Sequence, residues 1–312
     1  MKSTLALFTV ALTVTATSCS SSGPKETVEV QESSTTDHSV ASVVASSGRF
    51  EVLTSAFVSA GMASELENDG PFTVFVVSDD SIEQSDLDGL ATAGGFEALD
   101  QMAQFHVVPG VFTASELSEQ STVTTLTGQR LRLSNWNGKI ELQSFGSESE
   151  GLASARVIEA DLFCDNGIIH VIDAPLVPSF QTIEDHLEDA GIFSQFLAAA
   201  RRAGVLDTLE NGGDFTVFAP SDEAFAGFEP RALQRIAQDR ELLTAILADH
   251  VVSGRIYADT LHHRTLETLS GKSIDVDWSR GRAFIGEIEI VATDFEASNG
   301  VMHVVDGVLG RD

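Results

Sequence analysis

Residues 49–79 and 192–222 are one text written twice, and a chain that repeats itself over such a span folds as two copies of one unit. The first copy passes through Asn68-Asp69-Gly70-Pro71-Phe72-Thr73-Val74-Phe75 to Ser78-Asp79. The second passes through Asn211-Gly212-Gly213-Asp214-Phe215-Thr216-Val217-Phe218 to Ser221-Asp222, without a gap between them. The match resumes where His106-Val107-Val108 faces His250-Val251-Val252, and again where 166–173 faces 299–306. The chain has 312 residues, room for two ordinary domains of about 100–150 residues each. The expected domains are 38–178 and 179–312, joined around Pro178. The duplication is also an internal comparison: positions kept in both copies separate from positions that drift.

Each copy opens with helical spacing. In the second copy Thr182 is placed to cap, with Asp185 three residues on, and Ile183, Leu187, Phe193, Phe196, Leu197, Leu206 and Leu209 follow a helical period. Gly191 and Gly204 divide that stretch into short helices. Val40, Val43, Val44, Phe50, Leu53, Phe57, Met62 and Leu66 match it in the first copy. The runs 72–77 and 215–219 are aromatic, β-branched and almost continuously apolar, as a buried strand requires. Ser78 and Ser221 follow as expected N-caps of a second helical stretch that ends at His106 or His250. The last third of each copy alternates in the manner of strands. Asn137-Gly138 marks a two-residue hairpin, 279–281 marks its counterpart, and 144–151 is a loop present only in the first copy.

The N-terminus reads as a targeting segment. Lys2 precedes an apolar stretch over 5–16 that is too short to span a bilayer, which takes about 20 residues. Ala16-Thr17-Ser18-Cys19 resembles a bacterial lipobox, with Ala16 where Leu is usual. The expectation is a signal peptide over 1–18 and lipid on Cys19; the alternative is a plain secretory signal cut near the same place. Residues 20–37 are Ser, Thr, Glu, Gln and Pro with almost nothing apolar, the composition of a disordered tether behind an anchor, so that 19–37 is assigned to a tether. The two cysteines, Cys19 and Cys164, give no disulfide framework. Net charge is −29, from 47 acidic and 18 basic residues, which argues strongly against a nucleic-acid partner, since phosphate binding needs a basic patch, and disfavours docking on anionic lipid. Contact with a membrane is therefore expected only through the anchor. The acidity suits solubility, and equally a saline habitat.

The residues 215–225, Phe-Thr-Val-Phe-Ala-Pro-Ser-Asp-Glu-Ala-Phe, resemble the first signature block of fasciclin domains, also called FAS1 or beta-Ig-H3 domains. Asn299-Gly300-Val301-Met302-His303-Val304-Val305-Asp306 resembles the second block, and Asp165-Asn166-Gly167-Ile168-Ile169-His170-Val171-Ile172-Asp173 repeats it. Between the blocks, 247–254 and 104–110 resemble the central Tyr-His segment, with Asp249 or Phe105 in the place of the Tyr. The first copy departs from the first block at 75–82, which lacks the Pro and the final aromatic. The resemblance covers nearly everything from residue 38 onward. It implies a fold: α+β, two tandem domains, each a β-sandwich-like sheet pair flanked by short helices. It also implies an exported adhesion or binding module, secreted or held at the cell envelope, whose partner is a matrix or cell-surface protein or a glycan. A structural spacer is the alternative, and a hydrolase with an unrecognised site a further one.

Asp79, His106, His170, Asp173, Asp222, His250, His303 and Asp306 recur in both copies. Four histidines and four aspartates suggest metal or acid–base sites, but the histidines lie inside Val and Ile runs, where a buried ring must be hydrogen-bonded and serves the framework. No catalytic, cofactor or metal site is assigned: there is no Gly-x-Ser-x-Gly, no His-Glu-x-x-His and no phosphate loop, and 275–281 resembles a calcium loop only superficially because Arg280 stands where Gly is needed. Partner contacts are expected on the loops that differ between copies, at Phe112, Tyr257, Trp136 and Trp278.

Overall fold

The computed structural model describes residues 38–82, 96–144, 154–226, 228–279 and 281–310. The expected signal peptide, Cys19 and the expected tether lie outside the described residues, as do 145–151 of the loop that distinguishes the first copy. Domain 1 begins with three short helices, α1 (Val40–Ser46), α2 (Glu51–Ser59) and α3 (Ala63–Asn68), then strand β1 (Phe72–Val77). After them come α4 (Phe96–Phe105), β2 (Val107–Pro109), α5 (Ala114–Glu119), β3 (Thr122–Thr124), β4 (Arg130–Trp136), β5 (Lys139–Ser144), β6 (Ser154–Cys164) and β7 (Gly167–Ile172). Domain 2 repeats the order with α6 (Ile183–Asp189), α7 (Ser194–Ala203), α8 (Val205–Asn211), β8 (Phe215–Pro220), α9 (Pro230–Gln238), α10 (Arg240–Asp249) and β9 (Val251–Ser253). Its remaining strands are β10 (Arg264–Glu267), β11 (Ser273–Ser279), β12 (Arg282–Ile285), β13 (Ile288–Ala297) and β14 (Gly300–Val305).

Among the described residues each domain carries seven strands in one order, β2-β1-β7-β6-β5-β4-β3 and β9-β8-β14-β13-β12-β11-β10. β1 runs parallel to β7, and β8 to β14, while the other neighbours are antiparallel. The sheet folds back on itself until its ends meet: the Leu126 amide donates to Val107 O and the Leu269 amide to Val251 O, both at 2.8 Å. The expected sheet pair is thus one curled sheet.

β1 is apolar and buried on both faces because it separates two cores. Phe72, Val74 and Val76 face the helices, where Val44, Phe50, Leu53, Phe57 and Leu66 pack. Phe75 and Val77 face the inside of the fold, against Leu131, Leu142 and Ile172. Domain 2 repeats this, with Phe215, Val217 and Ala219 on the helical side and Phe218 inside. The predicted hairpin forms between β4 and β5, with Asn137 at φ 53° and Gly138 at φ 76°, the left-handed pair that a tight turn needs. The Thr182 cap also forms, as a capping box closed by Asp185.

Ser78 and Ser221 do not cap a helix. A single 3₁₀ turn follows each, and neither side chain accepts from an amide of that turn. The residue beside each serine caps a different helix, distant in sequence.

Candidate functional site

Asp79 accepts from the amides of Glu51 (2.8 Å) and Val52 (3.1 Å), the first residues of α2. Asp222 does the same for Ser194 (3.3 Å) and Gln195 (2.9 Å) at the start of α7 and also accepts from the Ser194 hydroxyl. Neither helix has a capping side chain of its own, because Phe50 and Phe193 occupy the N-cap positions. The aspartates supply the missing acceptors from across the fold. Asp173 and Asp306 accept from the amides of Arg156 (2.6 Å) and Glu289 (2.8 Å), tying the last strand to its bulged neighbour.

The four recurring histidines are neutral core residues. The Leu176 amide donates to His106 Nε2 at 3.1 Å, so Nδ1 carries the proton and donates to Met102 O at 2.7 Å. His250 repeats this with Leu309 and Ile246. Burial holds both rings well below the usual imidazole range, at about 4. At His170 and His303 the roles of the nitrogens are exchanged. The amides of Asp161 and Asp294 donate to Nδ1, so Nε2 donates to Phe112 O and Ile256 O, both at 2.8 Å. Burial lowers these two as well. Asp161 and Asp294 sit at the bulges of β6 and β13 with φ of 60° and 63°. Their carboxylates reach forward to the amides of Ala114 and Ala258.

Two recurring positions act in a way the sequence did not disclose. Asn166 accepts from the Val40 amide (2.8 Å) and donates to Leu66 O (2.8 Å), fastening the start of α1 to the end of α3. Asn299 accepts from the Ile183 amide and donates to Leu209 O. The glycine after each asparagine leaves room for the parallel strand: a Cβ on Gly167 would lie 2.2 Å from Phe72 O, and one on Gly300 2.0 Å from Phe215 O.

Domain 1 meets domain 2 through the turn between β3 and β4. The Gln129 side chain bonds the main chain of Ser179 in both directions, at 2.9 and 2.8 Å. The Arg130 amide donates to Glu296 Oε1 at 2.7 Å, and its guanidinium holds both oxygens of Asp259, at 2.9 and 2.8 Å. The same guanidinium lies over the Tyr257 ring, 3.8 Å from its centroid. The Tyr257 hydroxyl donates a short hydrogen bond to Glu296 and stands 3.2 Å from Gly128 O. Arg255 closes the floor by bonding Ala297 O, Ser298 O and Gly300 O and pairing with Asp214. Glu296 is 3 % exposed. Burial pushes its carboxyl up to about 7, against the opposing pull of the Tyr257 hydroxyl, the Arg130 amide and the Arg255 and Arg130 charges. Burial and the neighbouring Glu296 likewise raise the Tyr257 phenol above its ordinary range.

The four expected contact residues separate. Trp136 stands at the tip of the β4–β5 hairpin, 76 % exposed. Trp278 is half-buried and stacks on His262, ring centroids 4.1 Å apart. Phe112 is half-buried against the inner core of domain 1. Tyr257 is not an exposed loop residue: it is buried under Arg130 in the seam, because the loop carrying it is the one that receives the sister domain. Asp249, in the place of the family's Tyr, is buried and held by Lys272 at 2.7 Å and by Ser270. Its counterpart Phe105 is buried in the inner core. Cys164 is a half-buried free thiol, its pKa raised by burial and by Asp165. Among the described residues no group of three or more His, Cys, Asp or Glu is arranged to hold a metal ion, and no helix is long and apolar enough to cross a membrane.

The fasciclin-domain sequence profile matches residues 48–178 and 191–311, and the chain belongs to the fasciclin-domain family. It is 28% identical to the transforming growth factor-beta-induced protein ig-h3 of Sus scrofa over 253 residues, 80% of this chain and 36% of that protein. It is 26% identical to periostin of Homo sapiens over 256 residues, 80% of this chain and 30% of that one. The chain thus spans about a third of the length of these relatives. A solved FAS1 domain pair from the insect cell adhesion molecule Fasciclin I aligns with a TM-score of 0.39 and 19% identity, over 84% of this chain and 97% of that one.

Proposed function

We propose that this chain is an exported, non-catalytic adhesion module: two fasciclin domains, 38–178 and 179–312, carried on a tether behind a lipid on Cys19. One observation carries the reading. The recurring histidine rings and aspartate carboxylates are bonded to main-chain groups of the fold itself, so little chemistry is left over from the framework. What remains for a partner is what the copies do not share, foremost the exposed Trp136 at a hairpin tip. The partner class is a matrix or cell-surface protein or a glycan. The fasciclin family and its relatives, ig-h3 and periostin among them, support this. The bonded seam between the domains favours a second reading, a stiff spacer in the cell envelope.

A glycan and matrix-protein array probed with the full chain separates the two. Adhesion predicts a reproducible hit that weakens in the Trp136→Ala variant; silence across the array selects the spacer. Intact mass of membrane-extracted protein tests the anchor, which a Cys19→Ser variant must lose.

A further inference from the structure

The seam has two halves, and each domain uses only one of its own. Domain 1 gives the turn over 125–130, and domain 2 receives it on the face built by Tyr257, Asp259 and Glu296. Domain 1 carries the same receiving face, and domain 2 the same turn. Phe163 lies opposite Ile168 as Glu296 lies opposite Val301, and Ile168 and Val301 lie opposite Thr73 and Thr216. Phe112 and Ile256 both donate an amide to that threonine and accept from that histidine, so Val111, Thr113 and Ser115 stand where Arg255, Tyr257 and Asp259 stand. In the turns the Thr125 amide donates to Gln129 O at 2.9 Å and the Thr268 amide to Lys272 O at 2.8 Å. Gly128 and Gly271 share positive φ, 79° and 84°.

Both unused halves expose apolar side chains. Phe163 is 71 % and Val111 41 % exposed on the receiving face, and Leu269 is 41 % exposed on the turn. Single exposed apolar residues are ordinary on a protein surface. These fall on the two halves of one contact that the chain already makes elsewhere. The charges have changed in concert as well. Arg130 of the used turn is Ser273 in the unused one. Its partners Glu296 and Asp259 become Phe163 and Ser115, and Arg255 becomes Val111. At these exchanged positions the unused turn and the unused face carry no charge, and the one charge in the turn, Lys272, is paired within its own domain with Asp249 at 2.7 Å, whereas a change on one side alone would bury an unpaired charge.

We propose that a second copy of this chain docks head to tail, its turn over 268–272 seated on the Phe163 and Val111 face of domain 1 as 125–130 is seated on domain 2. Such a contact is heterologous. It leaves a free face at one end and a free turn at the other, so it grows into chains unless the rotation closes a ring. A net charge of −29 opposes the approach of copies, and salt strengthens it.

Sedimentation of the full chain, in a non-ionic detergent that masks the N-terminus, tests this. The mean mass is expected to rise with protein concentration and with salt. Phe163→Asp and Leu269→Asp should each weaken association at least about tenfold while leaving the melting temperature in place. An equimolar mixture of the two variants restores one intact face and one intact turn, so it should give dimers and nothing larger. A wild-type chain that stays monomeric at every concentration overturns the proposal, as does either variant associating like wild type. A mixture that stays monomeric while wild type associates overturns it as well, because an intact face and an intact turn would then have failed to meet.

Discussion

Phe163 and Glu296 occupy one position in two copies of a fold, and their surroundings are opposite. Glu296 is buried beneath a loop of the sister domain with two donors and two guanidinium charges around it; Phe163 stands in solvent. A few residues away His170 and His303 make the same two hydrogen bonds in both domains. The difference teaches which positions the fold consumes and which it leaves for association. Residues that bond main chain within one domain repeat, and residues on the face between domains do not.

Exchanging the two residues is the strongest way to break the comparison. Glu296→Phe leaves the Arg130 amide unmet at about 1–3 kcal/mol, reduces the Tyr257 hydroxyl to its 3.2 Å bond with Gly128 O and sets a ring against two guanidinium charges, together the largest expected loss, read by calorimetry. Phe163→Glu should lose no more than about 0.5 kcal/mol, since the position is exposed. Next in size, His170→Ala and His303→Ala should each cost about 1–3 kcal/mol for the donor and acceptor left unmet, and by similar amounts in the two domains. A large inequality between them would show that the framework is not equivalent.

Smaller effects follow from pH. The Glu296 carboxyl is raised in the folded chain, so its contribution is fully present below about 4.5 and is lost as pH climbs through about 7. His106 and His250 act oppositely: lowered from 6.5 to about 4, their contribution is present above 6.5 and is lost as pH falls toward 4. Glu296→Gln keeps the shape and removes the first slope. Its stability relative to wild type should rise between pH 4.5 and 7 and stay level above, as followed by denaturant titration at several pH values. Burial sets this rise, and Tyr257, Arg130 and Arg255 oppose it. The smallest effect belongs to Trp136→Ala, which should leave the melting temperature almost unchanged while altering binding on an array.

Much of this architecture is legible in the residues. The duplicated blocks disclose two copies of one fold. The apolar runs at 72–77 and 215–219 mark strands buried on both faces, and Asn137-Gly138 marks the hairpin. Other features are illegible for physical reasons. Asp79 and Asp222 look like first-turn residues of a following helix, but their partners are amides 27 and 28 residues earlier, and no local pattern encodes that distance. The bulges at Asp161 and Asp294 break the two-residue alternation of β6 and β13, which hides which way Phe163 and Glu296 face. Tyr257 sits in a loop like many exposed aromatics, and only the docking of the sister domain buries it.

Hydrogen exchange at the Arg130 amide tests the central claim most directly, because that group is bonded to Glu296 across the seam. The account predicts slow exchange in the wild-type chain and in Phe163→Glu, and fast exchange in Glu296→Phe. An Arg130 amide that exchanges as freely as an exposed loop in the wild-type chain would contradict it, since the two domains would then not meet through this face.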